Sequence, residues 1–222
     1  MTDPLREAAD TMRAVRDRCV WTQQIDHRAL VPYLVEESAE LMDAVEGGTR
    51  DDLREELGDL LWQVLFHAEI ASRDPDDPFD IDDVARGLTE KMVRRHPHVF
   101  AGAVATTPEE VLVHWNAAKA AEKQARTSVL DGVSHRMPSL ALAQKLLAKA
   151  AGVGLDPVAE PAPHPVRGAI SAASTEADLG DALLGLVALA RSNGWDAERA
   201  LRERLRLLER DIRAAEGPAA PT

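Results

Sequence analysis

Two short stretches of the 222-residue sequence carry carboxylates at spacings suited to chemistry: Glu36-Glu37-Ser38-Ala39-Glu40 and Glu56-Leu57-Gly58-Asp59. The group holds neither histidine nor cysteine, so it offers only the oxygen ligands that hard cations such as magnesium and manganese prefer. That donor set disfavours zinc, and the Glu-x-x-His pairs of a di-iron bundle are absent. The formal net charge of -12 adds a constraint. A phosphate ligand would be repelled unless a cation stood between it and the protein.

Taken singly, each of these residues reads as an ordinary solvated helix flank, where like charges one turn apart cost only about 0.2–0.5 kcal/mol per pair. Their placement together argues otherwise. In a helix over 29–46, Leu30, Leu34, Leu41 and Val45 form an apolar stripe, with Glu36, Glu37 and Glu40 on one flank and Glu37 nearest the stripe. In the next helix, Leu53, Leu57, Leu61, Val64 and Ala68 form the stripe, and Glu56 and Asp59 lie one turn apart on its flank. Beyond Leu60 this helix is apolar nearly all round, which predicts a central, buried position. The short Gly47-Gly48 connection makes the two helices antiparallel neighbours whose acidic flanks face one cleft. Carboxylates so crowded beside a core would repel one another and hold protons more tightly, a penalty that a divalent cation removes.

The rest of the chain must position that cleft. Capping signals at Thr49 with Asp52 and at Thr107-Pro108-Glu109-Glu110 mark helix starts. Helical periodicity predicts helices at about 4–18, 29–46, 50–73, 81–96, 108–125, 138–151, 176–193 and 196–215. No segment alternates as a strand would, so the expected class is all-α, a helical bundle. Residues 126–137 lack helical periodicity and read as a linker between a helical domain over 1–125 and a second helical region over 138–222. Residues 152–173, rich in Gly, Pro and Ala, read as a loose connection. Hydrophobic residues make up 45% and charged residues 29%, ordinary for a soluble protein. The acidic balance argues against nucleic acid or an anionic membrane as partner. A single cysteine, Cys19, excludes an internal disulfide and fits a reducing compartment. With no signal-like N-terminus and no run of roughly 18 apolar residues, the expected location is the cytoplasm.

The carboxylate pattern resembles the EExxE and ExxD signature of the MazG family of nucleoside triphosphate pyrophosphohydrolases. The likeness extends to Cys19-Val20-Trp21, to Pro32-Tyr33 before the acidic helix, to Arg94-Arg95-His96-Pro97-His98-Val99-Phe100, and to Trp115 with Lys119. It covers residues 1–150 densely and the rest weakly. The resemblance implies a MazG-like fold and cleavage of a nucleoside triphosphate to the monophosphate and pyrophosphate, with magnesium required and manganese a possible substitute. It also implies metal ligation by Glu37, Glu40, Glu56 and Asp59, with Glu36 in a supporting, water-orienting place, and assembly as a homodimer or higher oligomer. Val20, Thr22 and Ile25-Asp26 depart from the family pattern in the segment that shapes the base pocket, which bears on base preference more than on chemistry.

Other residues keep two readings. Lys91 and Arg95, one turn apart, either grip a phosphate tail or are cations complementing a helix C-terminus, and Lys119 shares that ambiguity. Trp115 and Trp21 either stack on a base or pack a helical stripe. His96 and His98 flank a proline, where a helix-stop role competes with chemistry.

There is an internal echo: Glu55-Glu56-Leu57-Gly58-Asp59-Leu60-Leu61 corresponds to Ala177-Asp178-Leu179-Gly180-Asp181-Ala182-Leu183. No EExxE helix precedes the second copy, and Pro157 to Ala173 contains one acidic residue, Glu160. The expectation is two repeats with the second degenerate, serving packing or dimerisation. The alternatives are a non-catalytic nucleotide- or partner-binding helical module, and a dUTP- or dCTP-restricted pyrophosphatase of the same all-α superfamily.

Overall fold

The computed structural model describes residues 3–122, 127–155 and 174–216, and every regular element among them is helical. The helices are α1 (Pro4–Arg18), α2 (Val31–Gly47), α3 (Arg50–Ala71), α4 (Ile81–Arg95), α5 (Pro97–Phe100), α6 (Pro108–Ala121), α7 (Ser139–Ala151), α8 (Glu176–Ser192) and α9 (Ala197–Glu216), with a 3-10 turn at Thr22–Gln24. The protein is all-α, as the periodicity predicts. None of these helices is long and apolar enough to cross a membrane. The chain divides into two compact units, Met1–Lys123 and Gln124–Thr222.

In the first unit, Ala9 and Met12 of α1, Leu30, and Leu65 and Phe66 of α3 form a buried cluster, with Ile25, Leu61, Trp62, Ile70 and Ile81 packed against it. Polar contacts lock α1 and its following loop onto the C-terminal half of α3. The buried Arg16 donates to the Ile25 carbonyl at 2.9 Å and lies over the Phe66 ring. Arg73 bridges Glu69 at 2.6 Å and Asp17 at 2.7 Å.

The α2–α3 turn sets the site. Thr49 and Asp52 form a reciprocal capping box: Thr49 Oγ1 accepts from Asp52 N at 3.2 Å, and Asp52 accepts from Thr49 N at 2.7 Å. Gly48 comes so near the end of α2 that a Cβ there would lie 2.8 Å from Ala44 Cα. The tight reversal therefore needs a residue without a side chain.

The structure corrects the expectation that both stripes face a core. Leu30 is buried, but Leu34 and Val45 of α2 and Leu57 and Val64 of α3 are exposed. The reason is positional: α2 packs against α3, whereas the buried cluster gathers α1 and Ile81 at the start of α4 around Leu65 and Phe66, farther along α3. For His96 and His98 the sequence leaves a helix-stop role and chemistry both open. His96 breaks α4 at φ -121°, ψ 58°, and Pro97 then begins α5 with the His96 carbonyl accepting from Val99 N and Phe100 N. The helix expected over 108–125 ends at Ala121, and residues 123–126 lie outside the described residues. Much of the connection read over 152–173 lies outside them as well.

The second unit packs α7, α8 and α9 around Val133, Leu147, Val187 and Ala190. Gln144 of α7 holds the α8–α9 turn from both sides, donating to the Trp195 carbonyl at 2.9 Å and accepting from Ala197 N at 3.2 Å.

Gly48→Ala is expected to lower unfolding stability by about 1–3 kcal/mol, the cost of forcing atoms into a filled space. Urea unfolding measures it, and a variant as stable as the parent would show that the turn relaxes freely.

Candidate active site

The capping box starts α3 so that Glu56 and Asp59 fall on the flank facing α2, where Glu37 meets them. Ligand oxygens of Glu37, Glu56 and Asp59 all lie within 4.8 Å of one another, a spacing that a single cation can bridge. Glu37 and Glu56 are half-buried and Asp59 is exposed, so the cluster opens outward through Asp59. Glu40 lies outside this closest group, yet its charge acts on both Glu37 and Glu56. Glu36 is exposed and acts on Glu37 last among the charges that bear on it.

Burial, then the charges of Asp59 and Glu40, pushes the Glu37 carboxyl above its ordinary range, while a hydrogen bond from Gln63 opposes the rise. Burial, then Glu40 and Asp59, pushes Glu56 the same way. Glu56 Oε2 is buried without a hydrogen-bond partner among the described residues. An acceptor stripped of water and facing like charges is an unfavourable arrangement that a cation would satisfy. The all-oxygen donor set and this orphaned oxygen both fit a hard divalent ion.

Sequence reasoning missed Gln63. It is buried on α3, four residues after Asp59 and seven after Glu56, hence on the same face, and its Nε2 reaches Glu37 Oε1 at a long 3.5 Å. That phase was the available signal. One further turn along the same face, His67 stacks on His27 with their Nδ1 atoms 2.8 Å apart. Burial, then the neighbouring His27, lowers the His67 pKa.

The MazG nucleotide pyrophosphohydrolase domain family matches residues 25–100, the span holding α2, α3, α4 and all five carboxylates. The chain is 34% identical over 229 residues to the nucleoside triphosphate pyrophosphohydrolase of Escherichia coli strain K12, covering 96% of this chain and 86% of that protein. It is 43% identical over 218 residues to the nucleoside triphosphate pyrophosphohydrolase of Mycobacterium tuberculosis, covering 95% of this chain and 60% of that one. It is 44% identical over 213 residues to an uncharacterized 26.1 kDa protein of Streptomyces cacaoi, covering 96% and 83%. The chain belongs to the MazG family. It is thereby placed among the nucleoside triphosphate pyrophosphohydrolases, enzymes that act on phosphoric anhydrides.

The remaining candidates of this MazG-family chain lie in two places. Arg95 and Trp115 meet where the end of α4 packs on α6: the guanidinium lies 5.0 Å from the indole centroid, and the His96 ring meets the same indole edge-on. Arg95 also pairs with Glu122 at 2.5 Å, which holds that carboxyl below its usual range. One face of Trp115 is thus covered by a cation, and Arg95 already has a carboxylate partner. Lys91 and Lys119 are half-buried on the same two helices. Trp21 lies apart from these residues, edge-on to Tyr33 and Phe66, and Tyr33 sits one turn before Glu37 on α2.

In the second unit, Asp178, the counterpart of Glu56, is spent on a helix cap. It accepts from Ser174 N and Thr175 N, each at 2.9 Å, and completes a capping box with Thr175. Those hydrogen bonds hold its carboxyl below the ordinary range.

The raised carboxyls have a consequence for stability. The folded protein holds these protons more tightly than the unfolded chain, so ionising Glu37 and Glu56 costs stability as pH rises through their raised values, and acidification from neutrality returns it. In cation-free buffer at neutral pH, Glu56→Gln is expected to raise Tm and to flatten the dependence of Tm on pH. Added magnesium or manganese is expected to raise Tm of the parent and to raise the variant's far less. Equal increments in parent and variant would remove Glu56 from the cation site.

Proposed function

We propose that this chain hydrolyses nucleoside triphosphates to the nucleoside monophosphate and pyrophosphate with carboxylate-bound magnesium, manganese being an alternative ion. Its role on this reading is nucleotide-pool control or house-cleaning in the cytoplasm. The observation that carries the reading is the convergence of Glu37, Glu56 and Asp59 around the orphaned Glu56 oxygen, on the helices that the family match spans. The related Escherichia coli and Mycobacterium tuberculosis proteins are named nucleoside triphosphate pyrophosphohydrolases, which supports the substrate class.

In this mechanism Glu37, Glu56 and Asp59 would hold the ion, with Glu40 as a further ligand beside them. The bound ion supplies positive charge to the phosphate oxygens and makes water more acidic. Gln63 keeps Glu37 turned toward the site by donating to its Oε1. Glu36, exposed on the rim of the cluster, orients the attacking water. The clustered negative charge by itself repels a polyphosphate, so binding of nucleotide and of cation would be coupled. Lys91, Arg95 and Lys119 grip the phosphate tail, and Trp21 and Trp115 stack on the base. Arg95 exchanges Glu122 for phosphate in doing so, a swap between two oxyanions that the guanidinium fork suits equally.

The catalytic domain is residues 1–125, joined through 126–137 to a degenerate second region over 138–222 that serves assembly. The protein works as a homodimer or higher homo-oligomer, in which exposed apolar residues gain cover.

Pyrophosphate release from a panel of nucleoside triphosphates, with magnesium and with chelator, tests the reading. Asp59→Ala and Glu40→Ala are expected to lower turnover roughly a hundredfold or more, the loss of several kcal/mol of charge stabilisation. Gln63→Leu is expected to weaken cation binding about ten- to a hundredfold. Turnover unchanged in Asp59→Ala, or insensitive to chelator, would overturn the assignment.

A further inference from the structure

Helix α9 carries its apolar seam on a face that its own unit leaves open. Leu201, Leu205, Leu208 and Ile212 follow one another at alternating spacings of four and three residues, the repeat of a helix that pairs with another helix. They are 47%, 48%, 45% and 50% exposed. The side of α9 that is partly buried is a charged one: Glu198 pairs with Arg202, and those side chains keep only 20% and 27% of their exposure, with Arg206 half-buried beyond them. An amphipathic helix docked by a charged edge while its leucines face outward is an energetically incomplete arrangement.

Charge order along the open border of the seam indicates what completes it. Arg204 and Asp211 flank the seam on the side away from Arg202, seven residues apart, and both are exposed. Two α9 helices laid antiparallel about a point between Leu205 and Leu208 bring Leu205 against the partner's Leu208 and Leu201 against the partner's Ile212. The same register sets Arg204 opposite the partner's Asp211, and the two-fold axis repeats that pairing. A parallel register leaves Asp211 with no cation opposite. Both signs of charge border the leucines, Glu209 and Asp211 among them, which does not suit an anionic lipid surface.

We infer that α9 is a homodimerisation seam on which a second copy of this chain lays its own α9 antiparallel. The inference rests on the homo-oligomeric reading given above and deepens it by naming the surface and its direction.

Sedimentation equilibrium of the full-length chain tests it, with far-UV circular dichroism to confirm folding. The parent is expected to dimerise, and Leu205→Glu with Leu208→Glu to raise the dissociation constant roughly a hundredfold. Arg204→Asp and Asp211→Arg are each expected to weaken association about tenfold, and the two together to restore it, because the charges change places across the seam. A parent that is monomeric throughout overturns the oligomeric reading and this one with it. An oligomer whose dissociation constant the leucine variants leave unchanged overturns the seam alone. In that case a drop in Tm would show that the chain's own residues cover it, and variant-sensitive binding to phosphatidylserine vesicles would show a membrane does. Weakening by both single reversals without restoration in the double variant overturns the antiparallel order.

Discussion

Three carboxylates within 4.8 Å of one another, two of them half-buried, repel, and the first unit is organised around holding them there. Burial first, and then the neighbouring carboxylate charges, push Glu37 and Glu56 above their ordinary range, and Glu56 Oε2 is left with no donor among the described residues. Helices free to slide would separate these groups. They are kept together because α3 is anchored at both ends. The capping box at Thr49 fixes where the first turn begins. Farther along, Phe66, Leu65 and the Arg73 bridges tie the last turns to α1. The binding energy of a cation would therefore be realised in a frame already formed, with little reorganisation left to carry out.

The α4–α6 contact shows the same logic with opposite sign. Arg95 is mostly buried between the Trp115 ring and the Glu122 carboxylate. A guanidinium held on two sides keeps few rotamers, so any oxyanion that replaces Glu122 meets a donor fork whose orientation is already set. On the proposed reading Glu122 is a placeholder for phosphate, and Arg95 holds its carboxyl below the usual range.

Much of this was legible in the amino-acid sequence because helix signals are local. Thr49 and Asp52, Thr107 and Glu110, and the phase of Glu56 against Asp59 each depend on residues within a turn or two. What escaped depends on contacts distant in sequence. Amphipathicity states that Leu34, Val45 and Leu57 want cover but not which chain supplies it, so their exposure was not foreseen. Gln63 looked like any helical glutamine until its reach to Glu37 was seen. The Arg95–Glu122 pair joins residues on different helices, so periodicity was silent about it. Glu40 shows the limit of phase itself: it is on the correct flank, and side-chain geometry still leaves it outside the closest three.

On the proposed reading of the second region as a degenerate repeat, Asp178 has left a site without being replaced by a neutral residue. In α3 the acid that completes the capping box with Thr49 is Asp52, and the metal-site candidate Glu56 comes a full turn later, so the two tasks fall on different residues. In α8 the helix begins a turn later relative to the echo, and one aspartate inherits the capping task. Removing a cap typically costs about 1 kcal/mol. A capping role is therefore enough to keep Asp178, and on that reading the surviving letters resemble a motif without doing its work. Such a change behaves as a ratchet. Recovering a second centre would take a new helix start upstream as well as new facing acids, several coordinated steps with no gain until the last, whereas further decay meets no resistance.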